Sequence, residues 1–63
     1  MSLAQKVKQL RLQAGLTQEQ LASCIGVSSR TIKHWEHGTR KPNAVFLLAL
    51  AHYFNVSPEW LMK

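Results

Sequence analysis

Residues 18–37 read QEQLASCIGVSSRTIKHWEH, and this stretch decides the fold. Leu21, Ala22 and Ile25 share one helical face, and Gly26 follows them where the chain must turn. Glycine enters positive φ without the clash that a Cβ would meet, so a tight left-handed turn costs little there. Ser28 can then cap a second short helix, which carries Ile32 and Trp35 inward and stops at Gly38. Ala22 sits where the two helices must cross closely, and a bulkier side chain would push them apart. Val27, Ile32 and Trp35 anchor the second helix on the body of the domain.

A helical wheel shows what that anchored helix offers outward. At about 100° per residue from Ser29, Ile32 falls at ~300° and Trp35 at ~240°, so the buried direction is near ~270°. On the opposite side lie Arg30 at ~100°, Lys33 at ~40°, His34 at ~140° and His37 at ~80°, with Ser29 at the edge. Solvated faces commonly mix charge signs. This one has no carboxylate.

The same punctuation runs through the rest of the chain. Leu3, Val7, Leu10 and Ala14 recur on one face of a first helix, and Gly15 falls where a left-handed C-cap belongs. Thr17 and Gln20 read as a capping box for the helix over Leu21–Ile25. Thr39 to Pro42 is a loop, and Asn43 caps a fourth helix that buries Leu47, Leu50, Ala51 and Phe54. Ser57-Pro58 gives a cap with proline at the first helical position, opening a last turn through Trp60 and Leu61. No stretch alternates with period two, so the fold is all-α. The expected core is Val7, Leu10, Leu21, Ile25, Val27, Ile32, Trp35, Leu47, Leu50, Phe54, Val56 and Trp60. Phe46, Leu48 and Tyr53 lie off the stripe of helix four and are either additional core in a nearly surrounded helix, the favoured reading, or part of a partner surface.

Composition narrows the function. Sixty-three residues with 46% apolar content make one small globular domain, too small for a deep water-excluding catalytic pocket. Eight Lys and Arg against three Glu give a net charge of +5, which favours polyanionic partners. The longest apolar run, Ala44 to Ala51, is far short of the roughly 20 residues of a membrane span. The first residues lead straight into a charged amphipathic stretch, unlike a signal peptide. A single cysteine, Cys24, cannot form an internal disulfide, which fits a reducing cytoplasm. An α-helix with a polar, cationic outer face fits the major groove of DNA, whose width is about 12 Å.

Taken together, LRLQAGLTQEQLA, IGVSSRTIKHWEHG, KPN, LLALA and NVSPEWL resemble the DNA-binding domains of lambda-, 434- and P22-type phage repressors and Cro, the XRE-type helix-turn-helix family. The resemblance spans nearly all of residues 1–63, with the helix-turn-helix at 18–37. It implies a compact five-helix bundle that binds a double-stranded DNA operator, as a homodimer on a roughly palindromic site, with no cofactor and no small-molecule substrate. By position it implies base contacts from Ser29, Arg30, Lys33 and His34. Phosphate contacts would come from Thr17, Gln18, His37, Thr39, Arg40 and Lys41, with Gln18 also bracing the reading helix. The reading positions differ from the glutamines and asparagine of several relatives, so no relative's operator transfers. Arg30 is chemically suited to guanine O6 and N7.

Glu36 occupies the last turn of its helix, where the macrodipole disfavours an anion, and is expected to be the one carboxylate near the phosphate-facing surface. The resemblance implies a partly buried ion pair with Arg11. His34, His37 and Cys24 make a poor metal set, since a structural zinc site takes four ligands. Cys24 is expected as a small, semi-buried side chain at a helix contact. No nucleophile–base set or phosphate-cradling glycine loop is present, which excludes an enzyme. A protein-interaction module of the antitoxin kind, binding DNA as an autoregulator, is the alternative of a different class.

Overall fold

The computed structural model describes residues 1–63. Five helices follow one another: α1 (Leu3–Gln13), α2 (Gln18–Ile25), α3 (Ser29–His37), α4 (Ala44–Phe54) and α5 (Pro58–Met62). None is long and apolar enough to cross a membrane.

Each helix starts on a side chain that satisfies its orphan amides. Thr17 accepts from Gln20 N while the Gln20 side chain accepts from Thr17 N, closing the capping box of α2. The side chains of Ser28, Asn43 and Ser57 accept from the amides of Thr31, Phe46 and Trp60 and so cap α3, α4 and α5. Ser2 and Gln5 form a second capping box, on α1. Gly26 closes α2 at φ +88° and Gly38 closes α3 at φ +75°. Asn55, in the left-handed conformation at φ +55°, ends α4.

The core gathers Val7, Leu21, Ala22, Ile32, Trp35, Leu50, Ala51 and Leu61. Leu10, Ile25, Val27, Leu47, Phe54 and Val56 pack against it half-buried. Helix α3 lies across α2 and α1, while α5 closes the bundle against α4 and α1. The Trp35 and Phe46 rings, 5.8 Å apart, tie α3 to α4.

Three expectations about burial fail. Trp60 is 39% exposed, and its neighbour Leu61 is fully buried in its place. A helix of five residues has too few turns for periodicity to set its phase. Leu48 and Tyr53 are exposed, because α4 covers the bundle with one side only, whereas Phe46 packs on the core. Cys24 is exposed, with its Sγ 3.3 Å from the Tyr53 hydroxyl of α4.

Lys6, a charged residue of α1, is buried. Its Nζ donates to the carbonyls of Trp60, at 2.5 Å, and Lys63, at 3.3 Å, and stands 4.8 Å from the centre of the Trp60 ring. The ammonium therefore caps α5 from α1, where a cation suits the negative end of the helix dipole.

Candidate nucleic-acid interface

Helix α3 presents its outer face as a continuous polar strip. Ser29, Arg30, Lys33, His34 and His37 line one open depression of about 330 Å³ with no apolar side chain among them. The strip holds together because α3 is fixed from behind. Ile32 is fully buried and Trp35 nearly so, which leaves the opposite side no alternative but solvent.

Two further depressions flank it. On one side Thr17, Gln18 and Glu19, at the N-terminus of α2, meet Ser29 and Lys33. On the other, Arg30 and His34 face Arg40, Lys41 and Asn43, where α4 begins. The first turns of α2 and α4 thus open on either side of α3. Helix N-termini carry partial positive charge and free amide donors, so both flanks favour an anion. The strip gathers all four residues expected to contact bases. The flanks hold Thr17, Gln18, Arg40 and Lys41 of those expected to contact phosphate; His37 lies at the far end of the strip, and Thr39 lines neither flank.

The carboxylates are arranged differently from expectation in one respect. Glu36 is removed from the surface: its side chain is 3% exposed and Arg11 grips it, with Nε 2.6 Å from Oε2 and Nη2 3.1 Å from Oε1. Arg11 also donates through Nη1 to the Leu16 carbonyl at 2.8 Å, tying the α1–α2 turn to the same cluster. Gln18 donates its side-chain amide to Glu36 Oε1 at 3.1 Å, so α2 is locked to the end of α3. The carboxylate that does lie beside the strip is Glu19, in the flank with Ser29 and Lys33. Glu19 stands in the first turn of α2, and its approach to Lys33 is set by how α2 packs against α3.

Thr39 is also more engaged than a simple phosphate contact. Its hydroxyl lies 2.8 Å from His34 Nδ1 and 3.3 Å from the His34 carbonyl. That carbonyl also accepts the backbone amides of Thr39 at 3.1 Å and Arg40 at 3.4 Å. The loop after α3 therefore folds back onto His34. No group of three or more potential metal ligands occurs in the structure.

Comparison with known proteins agrees with this geometry. Residues 4–63 match the family described as "Helix-turn-helix domain". The chain is 32% identical over 62 residues to the HTH-type transcriptional regulator ImmR of Bacillus subtilis (strain 168), covering 98% of this chain and 49% of that protein. It is 31% identical over 61 residues to repressor protein C2 of Salmonella phage P22, covering 97% of this chain and 28% of that protein. The chain thus spans about half or less of the length of these curated relatives. Among solved structures, the P22 c2 repressor in complex with a synthetic operator superposes with a TM-score of 0.94 at 30% identity, covering 100% of this chain and 96% of that one. With its five capped helices, the glycine turn between α2 and α3 and these relatives, the chain belongs to the helix-turn-helix domain family, in its phage-repressor-like, XRE-type form.

Proposed function

We propose that the chain is a sequence-specific double-stranded DNA-binding domain of a transcriptional repressor, which acts in the cytoplasm as a homodimer on a roughly palindromic operator. Residues 18–37 are its reading unit. One observation carries this reading: the exclusively polar, cation-rich strip of α3, flanked on both sides by helix N-termini. With α3 in the major groove, Ser29, Arg30, Lys33 and His34 address base edges. Thr17 and Gln18 on one flank, Arg40 and Lys41 on the other, with His37, hold the sugar–phosphate backbone, while Thr39 has its hydroxyl and amide engaged on His34. The superposition on a repressor solved with its synthetic operator supports the same docking.

Selection from a pool of random duplexes tests it. An enriched motif with two-fold symmetry is the expected result, bound with a log–log salt slope of roughly −4 to −5 per monomer for about 4–6 neutralised phosphates. Failure to enrich any motif, or a slope near zero, would falsify the reading.

A further inference from the structure

His34 is the one residue of the α3 strip whose ring is hydrogen-bonded by another side chain, and that contact controls what the ring can say to a base. Thr39 Oγ1 lies 2.8 Å from Nδ1 and 3.3 Å from the His34 carbonyl. A carbonyl can only accept, and a hydroxyl has one proton. The arrangement that makes both contacts hydrogen bonds gives the Thr39 proton to the carbonyl and takes Nδ1–H into the threonine oxygen. The neutral ring then carries its lone pair on Nε2, on the side away from Thr39. Neutral, Nε2 is an acceptor. Protonated, it is a donor.

The groups around the ring are cationic or uncharged. From its own helix it is faced by Arg30, Lys33 and His37, and from the following loop by Arg40 and Lys41. From α4 come Asn43 and Phe46, which carry no charge. No carboxylate lines either depression that contains His34, and Glu36 is engaged by Arg11 and Gln18.

We propose that His34, with its ring set by Thr39, is a proton-dependent base reader. In neutral form it accepts from adenine N6 or cytosine N4. As imidazolium, with the extra proton taken from solvent onto Nε2, it donates to guanine N7 or O6. Thr39 is then a positioning residue. The inference rests on the DNA-binding reading and adds that preference at one base pair per half-site changes with pH.

The test repeats the duplex selection at pH 8.0 and pH 5.5. The expected motif is the same at both except at one position per half-site, where relative preference for guanine rises about tenfold at the lower pH, near the lower end of the discrimination a base-edge contact supplies. His34→Gln, which hydrogen-bonds but does not titrate in this range, abolishes the change. His37→Gln lowers affinity for all sequences and keeps it. Thr39→Val, which frees Nδ1, shrinks it while the thermal midpoint reports whether the loop stays folded. Ring ¹⁵N spectra supply a readout independent of DNA: at pH 8 His34 should carry its proton on Nδ1, and a proton on Nε2 overturns the role given to Thr39. A motif enriched identically at both pH values, or a change that persists in His34→Gln, overturns the proposal while leaving DNA binding intact. No motif at either pH overturns the DNA-binding reading itself.

Discussion

Glu36 shapes a surface it does not face. It receives two hydrogen bonds from Arg11 and one from Gln18, so a single carboxylate joins α1, α2 and α3. It also keeps its own negative charge out of the cationic strip. Removing one partner of a buried pair leaves the other charge uncompensated, a cost of about 3–5 kcal/mol for a well-buried pair. Arg11 would retain only the Leu16 carbonyl. Glu36→Ala should therefore cost about 3 kcal/mol, which in a domain of this size lowers the thermal midpoint by roughly 12–24 °C. Glu36→Gln, which keeps an acceptor oxygen for Gln18, should lose less. Urea titration of both variants checks the order, and a loss below about 0.5 kcal/mol for Glu36→Ala would place the pair among surface bridges of little energetic weight.

At the scale of elements, the turn between α2 and α3 fixes how the strip is aimed. Gly26 holds φ +88°, and its amide and that of Val27 both return to the Ala22 carbonyl, at 2.8 and 3.0 Å. A Cβ built there meets no atom within 4 Å, so any penalty for substitution is conformational rather than steric crowding. Gly26→Val should cost about 1–3 kcal/mol, since a β-branched residue resists that φ. Gly26→Asn should cost less, as Asn55 already takes φ +55° at the end of α4. Equal denaturation midpoints for the two variants and the parent would contradict the turn assignment. These starts and stops were legible because caps and glycine turns are local, written within four residues of where they act. The phase of α5 was not. Its orientation is set by Leu61 in the core and by Lys6, whose bonds to Trp60 and Lys63 cross 54 and 57 positions of sequence. Lysine is so seldom buried that its place on the inner face of α1 carried no signal.

At the scale of the molecule, a body of 25 × 23 × 20 Å carries +5 charge, and its burial pattern turns one helix face outward. The strip of the candidate site was readable from Ile32 and Trp35 alone, because fixing the inner side of a helix fixes the outer one. The closure of Thr39 on His34 and the placing of Glu19 beside Lys33 were not readable. Both depend on how a loop or a neighbouring helix folds against α3, which no periodicity encodes. The central claim is that α3 reads sequence while the loop after it only holds the backbone. Arg30 and Lys41 test it most directly, since each carries one positive charge and a purely electrostatic account expects their alanine variants to behave alike. Competition titrations of Arg30→Ala and Lys41→Ala, against the selected operator and a scrambled duplex at two salt concentrations, separate the two accounts. Arg30→Ala should cost about 1–3 kcal/mol on the operator and flatten preference at one base pair, with a much smaller loss on the scrambled duplex. Lys41→Ala should weaken both duplexes about equally and reduce the salt slope by about one unit per monomer. Equal losses from both variants on both duplexes would contradict the account and reduce α3 to a generic polyanion-binding face.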